Sequence, residues 1–132
     1  MFKKIDILII IINIIFFSYY SIQLLLFTDE FAINNLGFFN HAVAGLSEVL
    51  GIIFITFIIG FVIIIFRDFR KQLPFLLSIF IFQFLTALNF WRYVFTNSPG
   101  ETSLNIITSN AIIFSTMVLF NFLLLGKNFT KL

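Results

Sequence analysis

Four long apolar segments constrain the fold of this chain more than any other feature of its sequence. They cover residues 5–27, 42–66, 73–96 and 103–126 and consist mainly of Ile, Leu, Phe and Val. A transmembrane helix needs about 20 apolar residues, because each helical residue adds about 1.5 Å across a hydrocarbon core about 30 Å thick. We therefore predict an all-α integral membrane bundle of four antiparallel transmembrane helices with short loops, forming one domain over residues 1–132.

The composition excludes several classes of protein. Of the 132 residues, 61% are hydrophobic and 11% are charged, whereas soluble domains carry about 25% charged residues. The chain has no cysteine and one histidine, so disulfides, thiol catalysis and thiolate metal sites are excluded. We predict no catalytic residues, no metal site and no cofactor.

The segment boundaries carry their own signals. The first apolar segment is longer than the core of a signal peptide and no small-residue cleavage site follows it, so we expect a retained helix. Pro74 is expected in the first turn of the third helix, and residues 97–100 are expected to form a turn. Residues 28–41 are too apolar for a free loop, so they should lie in the membrane interface or form a short helix.

Basic residues concentrate on one side of this bundle. The termini and the second loop hold seven of the eight Lys and Arg residues: Lys3, Lys4, Arg67, Arg70, Lys71, Lys127 and Lys131. Because basic loops stay in the cytoplasm, we predict a multi-pass inner-membrane protein with both termini cytoplasmic. These residues would anchor the chain at lipid headgroups, which makes the lipid bilayer the expected partner and nucleic acid an unexpected one.

Polar side chains are expected to gather in the outer half of the bundle, whereas the cytoplasmic half should be plain apolar packing, with exceptions such as Asn13 and Asn121. The result would be a cup that opens outward. The candidate residues for ligand binding or ion pairing are Glu48, Arg92, His41, Asn89, Tyr20, Gln23, Tyr93 and Asn110.

Glu48 is the most informative of these candidates. A carboxylate within a transmembrane helix costs about 2.5 to 3.5 kcal/mol, so we expect Glu48 to be protonated or paired, with Arg92 at a similar depth as its partner. Gly45 and Gly51 near it would allow close helix packing. The pair could serve function, or it could only specify which helices are neighbours. His41, at a helix end, is expected to be an ordinary interfacial histidine.

The segment from Gly45 to Gly51 resembles the second helix of DoxX-like proteins. Those small four-helix membrane proteins carry a Gly-x-x-Glu-x-x-Gly signature there, and here Gly45, Glu48 and Gly51 occupy its positions. The first helix lacks the family's Gly-Leu and Arg pattern. The resemblance implies an accessory subunit associated with respiratory or redox enzymes, rather than a particular reaction.

Three functions remain open from the sequence. The first, which we favour, is a non-enzymatic accessory or interaction subunit that binds other membrane subunits or forms a homo-oligomer. The second is a small transporter or lipid- or ligand-binding bundle in which Glu48 is a proton or cation site. The third, a membrane enzyme or quinone-binding subunit, lacks a nucleophile and base pair or a metal cluster.

Overall fold

The computed structural model of this protein describes residues 4–67, 69–98 and 102–129. These residues form five α-helices and no β-strand: α1 (Lys4–Leu25), α2 (Thr28–Leu36), α3 (His41–Ile65), α4 (Phe69–Thr96) and α5 (Leu104–Phe129). All except α2 are long and apolar enough to span a membrane. The prediction of an all-helical fold with four candidate spans is confirmed.

The observed helices follow the predicted segments closely, with one difference at α4. This helix begins at Phe69, so Pro74 lies inside it and not in its first turn. Helix formation this early is reasonable because Lys71 and Gln72 have high helix propensity. The proline removes the hydrogen bond that its own N–H would have donated to the carbonyl of Arg70, and its ring crowds the same carbonyl.

The short helix predicted as one alternative for residues 28–41 is present as α2. Gly37 ends α2 in the left-handed conformation, with φ of 78°, and its N–H donates to the carbonyl of Ile33 at 3.0 Å. Only glycine adopts this backbone conformation without steric cost. Asn40 then caps α3, because its side chain accepts a hydrogen bond from the N–H of Val43 at 2.9 Å.

Helices α1 and α3 pack closely along their length. Gly51 makes this possible: a Cβ atom there would lie 2.7 Å from Cγ of Leu25 and 3.2 Å from Cβ of Leu24. The Ser21 hydroxyl also donates to the carbonyl of Gly51 at 3.4 Å. The expected close approach at Gly51 is confirmed, whereas a Cβ at Gly45 would meet nothing within 4 Å.

Helices α4 and α5 form a second closely packed pair. The indole N–H of Trp91 donates to the Ser115 hydroxyl at 3.0 Å. At the connection between the two helices, the Asn97 amide donates to the carbonyl of Thr102, and the Thr102 hydroxyl donates back to Asn97. Pro99 and Gly100 of the predicted turn, like Lys3, Glu101 and Lys131 of the charge pattern, lie outside the described residues.

Aromatic side chains fill the space between the two helix pairs. Phe17 on α1 contacts Phe54 on α3, with ring centroids 5.2 Å apart, and Phe54 contacts Phe82 on α4 at 5.8 Å. Phe75 packs on Gly60 and lies edge-on to Phe61 at 5.7 Å. Edge-to-face rings at such distances attract each other beyond the area that they bury. The core of the bundle is therefore largely aromatic.

Candidate functional site

Three buried amides meet in the middle of the bundle. Asn13 on α1, Gln83 on α4 and Asn121 on α5 are 0%, 0% and 3% exposed. Asn13 Nδ2 donates to Asn121 Oδ1 at 2.9 Å, and Asn13 Oδ1 accepts from Gln83 Nε2 at 3.0 Å and from Asn121 Nδ2 at 2.9 Å. Asn121 Nδ2 also donates to Gln83 Oε1. This amide cluster joins three helices through side chains alone.

A second polar contact lies toward the end of the bundle where α2 is located, which we call the α2 end. The buried Tyr20 hydroxyl donates to Asn110 Oδ1 at 2.6 Å, and Asn110 Nδ2 donates to Asn35 Oδ1 at 2.7 Å. These bonds connect α1, α5 and α2. Of the predicted site residues, Tyr20 and Asn110 are joined by a hydrogen bond.

A third polar contact lies at the opposite end. The fully buried Asp6 carboxylate is 3.4 Å from Lys127 Nζ, whose side chain is 36% exposed. Asp6 was not among the predicted site residues, and Asn13 and Asn121 were expected only as exceptions in an apolar half. The prediction of an apolar half, and of a cup that is polar only on one side, is therefore wrong.

Three polar residues of α1, Asp6, Asn13 and Tyr20, have a regular spacing that could have been read from the sequence and was missed. Asp6, Asn13 and Tyr20 are seven residues apart, so they occupy nearly the same face of a helix. Each contacts a polar residue of α5, and the α5 partners run in the reverse chain order: Lys127, Asn121 and Asn110. We call this set of three contacts the polar ladder.

The polar ladder is suited to holding helices together. Within the described residues, every buried side-chain nitrogen or oxygen has a hydrogen-bond partner. Half of the six ladder residues, Asn13, Asn110 and Asn121, are carboxamides, which donate and accept hydrogen bonds without changing charge near neutral pH. In the same part of the chain, no group of three His, Cys, Asp or Glu residues is placed to hold a metal ion. The geometry supports interhelical adhesion more directly than acid–base chemistry.

The structure does not join Glu48 and Arg92, the ion pair expected from the sequence, by a salt bridge. Glu48 and Arg92 are both exposed, and no salt bridge joins them in the described part of the chain. The Arg92 guanidinium instead lies 4.9 Å from the centre of the Tyr93 ring. Two residues at similar depth pair only if their helices are rotated so that the side chains face each other. Ser47, next to Glu48, is buried, and Arg92 lies on the side of α4 opposite the buried Gln83. The predicted direct pairing is therefore wrong.

The other candidates are also dispersed. His41 is exposed at the start of α3, Asn89 and Tyr93 are exposed on α4, and Gln23 is half-buried on α1. Surface grooves between α1 and α5, of about 360 and 450 Å³, are lined almost entirely by apolar side chains, and neither Glu48 nor Arg92 lines them. A ligand-binding role for these residues stays a prediction.

Comparison of the chain with models of protein families, with curated protein sequences and with solved structures finds no match. The resemblance of Gly45, Glu48 and Gly51 to DoxX-like proteins therefore stays a prediction that rests on those residues.

Proposed function

We propose that this chain is a non-enzymatic integral membrane protein that acts as an interaction subunit of a membrane assembly. The exposure of Glu48 on α3 carries this proposal. Glu48 lies seven residues from the start of the helix, which is about 10 Å along the axis at about 1.5 Å per residue. A carboxylate facing lipid at that depth is unfavourable, and a partner that covers it with a donor or a cation would remove the cost.

The interior of the bundle supports the same proposal. Its buried polar groups bond to one another across helices, so their hydrogen-bonding capacity is used within the chain. The functional surface is then the outside of the bundle. A transporter that uses Glu48 would need a second subunit to complete its pathway, because Glu48 is exposed on the outside of the single chain.

The proposal includes an orientation and a location. We place the four long helices antiparallel in the inner membrane, with the basic residues that flank them, such as Lys4, Arg67 and Lys127, on the cytoplasmic side. The α2 end, which carries Asp29 and Glu30, then faces outward. An accessory role beside a respiratory or redox enzyme, as in DoxX-like proteins, is one form of this function.

Purification of the intact chain in a mild detergent tests the proposal. The wild-type chain should elute in a complex, and Glu48→Gln should reduce the amount of that complex while the chain itself stays folded. Glu30→Gln is the matched control, since it removes an exposed carboxylate on the short helix α2. The proposal fails if the wild-type chain is monomeric, or if Glu48→Gln associates as well as Glu30→Gln does.

A further inference from the structure

We infer that the partner covering Glu48 is a second copy of this chain, with Glu48 of each copy paired to Arg92 of the other. This inference rests on the proposed function, which requires the face around Glu48 to be covered. Its basis is charge complementarity: α3 presents the exposed anion Glu48, the outer half of α4 presents the exposed cation Arg92, and no salt bridge joins them in the described part of the chain.

Both charges lie at the α2 end of the bundle. Asn35 of α2 bonds to Asn110 near the start of α5, and Trp91, next to Arg92, bonds to Ser115 of the same helix. These contacts place the end of α4 at the α2 end, where α3 begins. Glu48, near the start of α3, and Arg92, near the end of α4, therefore lie close to the same end of the bundle.

Their depths also match. Arg92 is four residues from the end of α4 and Glu48 is seven residues from the start of α3, which corresponds to about 6 Å and about 10 Å. A long, flexible arginine side chain spans the difference of about 4 Å. In a membrane, a two-fold axis along the membrane normal keeps each residue at its own depth, so it would form two identical pairs.

The neighbouring surface is compatible with a second helix. Gly45 lies one turn before Glu48 on α3, and a Cβ at this position would meet nothing within 4 Å. Small residues of this kind let helix backbones approach closely in lipid. The Tyr93 ring supports one face of the Arg92 guanidinium, and its N–H edge stays available for bidentate bonding to a carboxylate.

Cysteine cross-linking in native membranes tests the geometry, because the chain has no cysteine of its own. A chain with Glu48→Cys and a differently tagged chain with Arg92→Cys, expressed together, should be joined into a mixed dimer by a short bifunctional maleimide, since an Arg–Glu pair holds its Cα atoms too far apart for a direct disulfide. Ile22→Cys paired with Arg92→Cys is the control, since Ile22 is 47% exposed near the same end on α1. Equal cross-linking of the two pairs, or none of either, overturns the inference.

A charge exchange tests the energetics. Glu48→Arg and Arg92→Glu should each weaken the dimer by about tenfold or more, as removal of a close interfacial charge pair does, and the double exchange should restore it. Glu48→Gln serves where Glu48→Arg does not fold. If Glu48→Gln releases a different protein and the chain never dimerises, the interaction function stands and the self-association is refuted. A wild-type monomer without any partner refutes both.

Discussion

Asn13→Leu should destabilise the bundle strongly, although it replaces one side chain by another of similar size. Asn13 makes three interhelical hydrogen bonds, two with Asn121 and one with Gln83. Such bonds contribute about 0.6 kcal/mol on average and up to about 1.7 kcal/mol in membranes, so their loss predicts about 2 to 5 kcal/mol. Unfolding by SDS in mixed micelles, followed by circular dichroism, measures the change.

Two further variants separate the amide cluster from unspecific effects. Asn105→Leu on the exposed surface of α5 should cost little, because the hydroxyl of Ser109 bonds to the backbone of Asn105 and not to its side chain. Replacing Asn13, Gln83 and Asn121 together by Leu or Met should recover much of the loss, since no polar group is then left without a partner. If Asn13→Leu costs no more than Asn105→Leu, the reasoning about the cluster is refuted.

Three other predictions follow from the packing and the charges. Gly51→Ala should lower the stability of the fold in the same assay, because its Cβ would meet Leu25 and Leu24. The control Gly126→Ala should be neutral or stabilising, because a Cβ there meets nothing within 4 Å. Equal effects of the two variants would contradict the packing. Asn110→Leu should speed amide hydrogen exchange in α2, because it removes the bond to α2, and unchanged exchange would contradict that anchor. A cysteine at the exposed Asn34 should react with an impermeant reagent outside intact cells and one at Lys71 should not; the reverse pattern would invert the proposed orientation.

The sequence predicted the helices well because length and hydropathy determine them. The apolar segments are interrupted only where charges, Gly or Pro occur, so four spans could be located to within about four residues at each end. Even the short helix α2 was among the alternatives, since Phe31 and Ala32 made an irregular exposed loop improbable. These predictions needed no knowledge of which helices are neighbours.

The face that each helix turns inward could not be predicted in the same way. In a soluble protein the polar face of a helix reveals its exposed side. Beyond Glu48, however, α3 is apolar on nearly every side, with exposed Ile52 and Ile59 as apolar as buried Phe54 and Phe61. Lipid and protein interior are both apolar, so this periodicity is lost. The sequence therefore constrained how deep Glu48 and Arg92 lie, but not the direction in which each side chain points around its helix axis.

The polar residues of α1 contained the missing information. Because a seven-residue spacing returns to nearly the same side of a helix, Asp6, Asn13 and Tyr20 predict one buried polar face. Two of the buried asparagines of α5, Asn110 and Asn121, are eleven residues apart, about three turns, and also share a face. Depth alone had placed Asn13 and Asn121 in one half and Tyr20 and Asn110 in the other, with Asp6 left unassigned, so the shared spacing went unused.

In the proposed membrane location, the polar ladder would select one arrangement of the bundle. Lipid tails are as apolar as Leu and Ile, so burial of apolar surface does not distinguish one helix register from another. Moving α1 along α5 by one turn, about 5.4 Å, would break the contacts of Asp6, Asn13 and Tyr20 at once. Glu48 and Arg92 take no part in these contacts. Substitutions of these two residues should therefore alter association with a partner while the helix register of the single chain is kept.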